Sequence, residues 1–362
     1  MRTKEAQLDL LRRLSLAFGP TGCEGEVAEI ILEEIKPLAH RITRDRMGNL
    51  TATVRFGDEK VTPTRIMISA HMDEVGMMIH TIREDGTLLF GTVGGIDPSV
   101  MPGRFVTVKG KDGYLQGVIA SKAIHHKEKD ERQKPPKQKS MAIDVGAGSR
   151  EAAEALLEIG AYATFDSEWI EMGNDGNTVK CKALDDRAGC AVMILVMEAL
   201  AECPPQEALE LFFCFTVREE IGLSGALPVA ERLRPDFSLV LESTAVADIE
   251  GVESAKQVAH LGCGGAISLM DRSTIYNREL CRFALDVARK EQIPAQIKQY
   301  VSGGNDAGHI HKSGTGVRIL ALSLPTRYLH SSSCVASLSD FEAMRAHTEA
   351  LVRNLSHFGG RS

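Results

Sequence analysis

The chain has 362 residues, 43% of them hydrophobic and 25% charged, with a formal net charge of −7. That length exceeds what one hydrophobic core usually spans, and the negative balance argues against nucleic acid as the main partner. No apolar run reaches the length of a membrane span.

The N-terminal segment does not read as a signal peptide, because Glu5 and Asp9 interrupt any apolar core. Leu8, Leu11, Leu14, Ala17 and Phe18 share one helical face, and Gly19-Pro20 stops that helix. A second helical pattern covers 27–38. The turn Met47-Gly48-Asn49 then leads into a strand over 50–54. Residues 65–69 (RIMIS) form a short apolar strand, followed by His71-Met72-Asp73-Glu74.

From Val75 to Phe165 the texture changes. Short candidate strands at 77–82, 87–90, 105–108, 114–120 and 141–145 alternate with Gly, Asp and Pro turns. That spacing predicts a small β-rich domain. Within it, residues 122–140 are polar, charged and Pro-bearing, the composition of a mobile surface loop, with His125 and His126 as a surface pair. Beyond Asp166 helices and strands alternate. Helices are predicted over 187–203, 224–233, 279–291 and 340–358, and strands over 210–217, 237–241, 296–300 and 318–322.

The predicted architecture is therefore α/β. A mixed-sheet domain (residues 1–74 plus 165–362) carries a β-rich inserted domain (residues 75–164). The eight cysteines are scattered and form no CxxC pair. They read as reduced, mostly buried thiols of a cytoplasmic protein rather than as a cysteine zinc site.

Metal-binding side chains gather at the C-terminal ends of predicted strands, where open α/β sheets place their ligand sites. His71 and Asp73 follow RIMIS, and Glu219-Glu220 follow LFFCFTV. Glu242 follows FSLVL, and His330 follows RILALSLPTRY. Asp185-Asp186-Arg187 precede the long apolar helix, where a simple helix start also accounts for them. Together these positions supply two histidines and several carboxylates, the ligand set of a zinc or cobalt site rather than a calcium cage.

The stretches SAHMDEVGMMI, KALDDRAGC, TVREEIGLSGA, LESTAVAD, GGNDAGHIH and LPTRYLHSS carry a family resemblance. In these motifs, and in their order, the chain resembles the M42 metallo-aminopeptidases of the co-catalytic dizinc exopeptidase clan. The resemblance implies two divalent metal ions per subunit, of zinc, cobalt or manganese type. It implies His71 and Glu242 on the first ion, Glu220 and His330 on the second, and Asp185 bridging both. Asp73 would orient His71, and Glu219 would be the general base. Two ions against three carboxylates leave one positive charge, which a hydroxide would neutralise. The substrates implied are peptides with a free N-terminus. The partner implied is the chain itself, in a dimer-based homo-oligomer that extends to a dodecamer in relatives, with no nucleic acid or membrane partner.

Two positions depart from the pattern. Glu242 stands where many relatives carry Asp, and Asn305 where Thr or Ser is more usual. Asp306 shapes the pocket or supports His330, unless it serves its loop alone. His309 and His311 read as structural. Rival readings are a carboxypeptidase or N-acyl amino acid deacylase of the same metal clan, a glycoside hydrolase, and a non-catalytic binding protein. The glycosidase is disfavoured because adjacent Glu219 and Glu220 could hardly flank a glycosidic bond.

Overall fold

A computed structural model describes residues 2–122, 125, 128 and 134–358. Two helices open the chain, α1 (Lys4–Leu16) and α2 (Gly25–Ile35), followed by strands β1 (Arg41–Arg44), β2 (Leu50–Phe56) and β3 (Thr64–His71). Next come β4 (Gly76–Ile82), β5 (Leu88–Val93), β6 (Phe105–Lys109), β7 (Tyr114–Ser121), β8 (Met141–Asp144), α3 (Arg150–Leu156) and β9 (Tyr162–Phe165). Strands β10 (Ile170–Met172) and β11 (Thr178–Cys181) lead to α4 (Leu184–Glu202), β12 (Leu209–Thr216), α5 (Ala226–Leu233) and β13 (Phe237–Ala245). The chain closes with β14 (Gly265–Ile267), α6 (Arg278–Lys290), β15 (Ala295–Ile297), α7 (Ala307–Ile310), β16 (Arg318–Arg327), β17 (Cys334–Ser337) and α8 (Leu338–Phe358).

Eleven strands form one mixed sheet in the order β1-β2-β12-β3-β13-β16-β17-β11-β10, with β14 and β15 attached beside β16. Its centre, β12-β3-β13-β16, is parallel. Those strands are nearly continuous apolar runs, as burial on both faces requires. Helix α4 lies on β3 and β13 and is itself covered by α1 and α8. It is apolar around its whole circumference from Ala188 to Met197, the pattern of a helix with no solvent face. Asn277 caps α6 by accepting the Leu280 N–H at 2.9 Å.

Strands β4, β5, β8, β7, β6 and β9 close into a small barrel, which removes every free edge. Met77, Ile79, Phe90, Val106, Ile119 and Phe165 fill its own core, separate from the core around the large sheet. The crossing between barrel and sheet is held by buried Glu74. Its carboxylate accepts from Lys182 Nζ (2.7 Å), the Gly19 N–H (3.2 Å) and the Thr164 hydroxyl on β9 (2.8 Å). Arg187 Nη2 lies 3.5 Å away. A carboxylate so far from water persists because its oxygens are bonded and its charge is paired.

Several boundaries differ from the sequence expectation. Helix α5 starts at Ala226 rather than Ser224, because Leu223 and Ser224 close a turn back onto the carbonyls of Glu219 and Arg218. Strand β13 runs past Glu242 to Ala245 because it stays paired with β16 as far as Thr326. The strand expected at 296–300 ends at Ile297, after which the Gln299 N–H turns to the Val258 carbonyl. Strands β10, β11, β14 and β17 have only three or four residues, too few for a period to show. Residues 123–124, 126–127 and 129–133 of the charged stretch, His126 among them, lie outside the described residues. All eight cysteines are free thiols, five of them buried. Among the described residues no helix is long and apolar enough to cross a membrane.

Candidate metal centre

The fold brings all seven expected side chains to one place. His71 ends β3, Glu219 and Glu220 sit in the loop after β12, and Glu242 lies within β13. Asp185 opens α4, and His330 sits in the turn between β16 and β17. Three neighbouring parallel strands thus deliver side chains to the same end of the sheet. Non-glycine residues with positive φ surround that end: Ala183, Arg218, Leu223, Tyr328 and His330. Such conformations persist where the surroundings over-determine them.

His71 Nε2 lies 3.3 Å from Asp185 Oδ1 and 3.3 Å from Glu242 Oε1. On the other side, His330 Nε2 lies 3.4 Å from Asp185 Oδ2 and 3.3 Å from Glu220 Oε1. The two oxygens of Asp185 therefore face two different clusters. Zinc binds such ligands at about 2.0–2.1 Å, and the edge of a tetrahedron of that radius is about 3.3–3.4 Å. The observed spacings match that edge. Glu220 Oε1 is buried, and the polar atom beside it is His330 Nε2. Glu219 stands further back, with Oε2 3.9 Å from His71 Nε2.

Both imidazoles are oriented from behind. His71 Nδ1–H donates to the Asp73 carbonyl at 3.0 Å, and His330 Nδ1–H donates to the Gly95 carbonyl at 2.7 Å. With an ion bound, each Nε2 would then present its lone pair to that ion. It is the main chain of Asp73 that bonds His71; its carboxylate lies 3.6 Å from Nδ1. That carboxylate instead accepts the N–H groups of Glu219 (3.1 Å) and Glu220 (3.2 Å) and the Thr21 hydroxyl (2.7 Å). It holds the Glu219-Glu220 backbone in place.

Burial and crowding set the charges. Burial pushes Glu219 well above the carboxylate range, and Glu220, Asp306 and Asp185 push the same way. Burial also raises Glu220 and, more strongly, Glu242. Against burial, hydrogen bonds from His330 and His71 hold Asp185 below the usual range. The histidines go up: burial opposes their charge, but Glu242 and Glu219 raise His71, and Asp185 and Glu220 push His330 up to about 12. Beside burial, the neighbouring carboxylates raise Glu219, Glu242 and both histidines, the crowding of negative charge that a divalent cation would relieve.

Neighbouring residues sort by contact. Asp186 is fully buried, accepts the Gly189 N–H at 3.1 Å and leaves Oδ2 unpartnered. Its ligand atoms fall within 4.8 Å of those of His71 and Glu242, as Asp185 falls with His71 and Glu220. The shorter 3.3–3.4 Å contacts belong to Asp185. Arg187 binds the Leu14 and Gly19 carbonyls, a packing role. Asn305 accepts the Ala307 N–H and pairs with the Tyr276 hydroxyl, so it shapes its loop. Asp306 accepts the Thr216 hydroxyl at 2.7 Å, and burial pushes its pKa up to about 6. His311 bonds the Ala307 carbonyl within its own helix. Thr21 and Gly95 were not anticipated; a backbone carbonyl from a sequence-distant loop leaves no trace in residue type. The cluster opens onto a cavity of about 750 Å³, with Lys298 and Tyr328 on its wall.

Histidines and carboxylates at the ends of parallel strands, spaced for divalent ions and facing an open cavity, define a metal-dependent hydrolase on a mixed α/β sheet. The model of the family described as M42 glutamyl aminopeptidase matches residues 48–346, and the chain belongs to that family. It is an aminopeptidase, an enzyme that hydrolyses peptide bonds at the N-terminus. A relative from Acetivibrio thermocellus, whose name places it provisionally among the aminopeptidases, is 36% identical over 349 residues, 96% of this chain and 99% of that one. The crystal structure of a TET aminopeptidase from a marine-sediment Thaumarchaeota archaeon superposes with a TM-score of 0.92 at 33% identity, covering 97% of each chain. The TET1 peptidase of Pyrococcus horikoshii, described as assembling into a tetrahedron or a large octahedral shell, matches with a TM-score of 0.83 at 31% identity, over 96% of this chain and 99% of that one. These structures share the mixed sheet and the six-stranded barrel.

Proposed function

We propose that this aminopeptidase acts through two divalent metal ions, with Glu219 as the general base. His71, Glu242 and Asp185 Oδ1 would hold one ion, and His330, Glu220 and Asp185 Oδ2 the other. When bound, the ions polarise the scissile carbonyl and acidify the attacking water. Glu219 accepts the proton of that water as its oxygen attacks the carbonyl carbon. As the C–N bond breaks, Glu219 returns the proton to the leaving nitrogen. A carboxylate whose pKa is lifted by burial suits both halves of that transfer. Asp73 fixes the reach of Glu219 through its backbone N–H.

The observation that carries this reading is the spacing: two clusters at 3.3–3.4 Å share the two oxygens of Asp185, with Glu219 one step behind at 3.9 Å. The tetrahedral match suits zinc or cobalt better than manganese, which prefers octahedral oxygen sites. A panel of aminoacyl-anilides, N-acylated amino acids and N-blocked peptides tests the reading. Cleavage only of substrates with a free amine, abolished by chelator and restored by metal, is expected. Preference for acylated amino acids or for free C-termini would transfer the enzyme to another activity of the metal clan.

We further read residues 75–164 as an inserted unit and the enzyme as a cytoplasmic homo-oligomer. The separate barrel core supports the inserted unit, and the assemblies described for the Pyrococcus horikoshii relative support the oligomer. Light scattering that returned only the 39.3 kDa protomer would refute the oligomer.

A further inference from the structure

The loop 217–225 carries both Glu219 and Glu220, and its own turn bonds, from the Leu223 and Ser224 N–H groups to the Glu219 and Arg218 carbonyls, lie inside it and do not reach its two end residues. Arg218 and Leu223 are non-glycine residues with positive φ, a locally unfavourable conformation that contacts from outside the loop help to hold. Asp73 holds its middle, through the two N–H groups described above. Its two ends are held by a single buried side chain. Asn49 Oδ1 accepts the Val217 N–H at 3.0 Å, and Asn49 Nδ2 donates to the Gly225 carbonyl at 3.1 Å. The second Nδ2 hydrogen goes to Asp45 Oδ2 at 2.7 Å. Because Asp45 can only accept, the amide has one allowed orientation. Asp45 is itself fixed by the N–H groups of Met47, Gly48 and Asn49 on its other oxygen.

The loop ends also meet closely, with no room for a side chain at position 225. A Cβ added to Gly225 would fall 2.0 Å from the Val217 carbonyl and 2.8 Å from Asn49 Oδ1. Asn49 stands just before β2, whose Leu50 pairs with Phe215 of β12, so the sheet register delivers it to the base of the loop. We infer that Asn49, locked by Asp45, is a positioning residue that clamps both ends of the loop 217–225 and so sets the reach of Glu219 over the site. This inference rests on the assignment of Glu219 as the base.

The test compares Asn49→Ala, Asn49→Asp and the exchange Asp45→Asn/Asn49→Asp in the full-length, metal-loaded protein. Asn49→Ala should lower kcat about 100-fold, the size of effect expected when a catalytic group is misplaced by about 1 Å. KM should move less than about threefold, and metal content should stay at the wild-type value. Amide exchange of the peptide spanning 217–225 should accelerate while peptides from α4 do not change. In Asn49→Asp, the new carboxylate faces two acceptors. The exchange puts a donor back between positions 45 and 49, keeps the Val217 bond and leaves only the Gly225 carbonyl unbonded. It should turn over about tenfold faster than Asn49→Asp alone.

A residue that only stabilised the fold would lower the melting temperature without splitting kcat from KM. Wild-type kcat per folded, metal-loaded molecule, or unchanged exchange in 217–225, would overturn the proposal. If Asn49→Ala does not fold, the decision passes to the aspartate pair, and equal rates there overturn it. Full turnover in Glu219→Gln would instead remove the base assignment while the exchange measurement still reported the clamp.

Discussion

Substituting Glu219 by Gln isolates the proton-transfer role from everything else the loop does. Gln keeps the length and shape of the side chain and retains an oxygen acceptor, but it cannot take a proton. The backbone bond from residue 219 to Asp73 at 3.1 Å does not involve the side chain, so the loop should keep its place. The Glu219 oxygen nearest the cluster is 3.9 Å from His71 Nε2, outside the 3.3–3.4 Å contacts of Asp185, Glu220 and Glu242. Metal content should therefore equal that of the wild type. A general acid–base group contributes about 10²- to 10⁴-fold, so kcat should fall by that factor, about 3–5 kcal/mol of barrier. KM should change little, because the interaction is made in the transition state. The assay is steady-state turnover of an aminoacyl-anilide beside elemental analysis of the same sample. A kcat within about threefold of wild type at normal metal content would refute the assignment, whereas a loss of metal would place Glu219 among the ligands.

The neighbouring residue should behave differently: Glu220→Gln is expected to lower metal occupancy at the His330 side, and elemental analysis showing full occupancy would count against its assignment. Lys182→Met leaves buried Glu74 with only the more distant Arg187 as counter-charge. Chemical denaturation should register a loss of about 3 kcal/mol, and a loss below about 1 kcal/mol would show that Arg187 suffices. His347 is buried, and its Nε2–H donates to the Ala284 carbonyl at 2.9 Å. Burial holds its pKa below the ordinary 6.5, so its contribution to stability is present above that value and lost as pH falls through the folded-state pKa. The denaturation midpoint should thus drop between about pH 7 and pH 5, and His347→Gln, which keeps a donor, should flatten that drop. An unchanged slope would assign the acid sensitivity elsewhere.

Much of the fold was legible because its strongest signals are local. The apolar runs of β12, β13 and β16 announce strands covered on both faces, and α4 announces a buried helix. The candidate site residues stood out in the sequence because two histidines and paired carboxylates lie next to strand ends, and the fold brings those side chains together. What stayed hidden depends on contacts between distant residues. Glu242 was expected beyond its strand, yet pairing with β16 carries β13 four residues past its expected end at Leu241. Asp73 was expected to act through its carboxylate, yet its carbonyl orients His71 while the carboxylate holds Glu219 and Glu220. Only the folded loop shows which of the two groups is within reach.

The bond from His330 to the Gly95 carbonyl has a consequence for anyone who would trim this enzyme. Gly95 follows β5, inside the barrel, while His330 belongs to the large sheet. The barrel has its own core and looks detachable, a decoration to be deleted when a smaller catalyst is wanted. Excision would untether the imidazole, which could then rotate or exchange tautomers and present N–H where a lone pair is required. If His330 is a ligand as proposed, an appendage that orients it from outside the large sheet is not a cassette to be swapped between relatives. It must be transplanted together with the turn it braces.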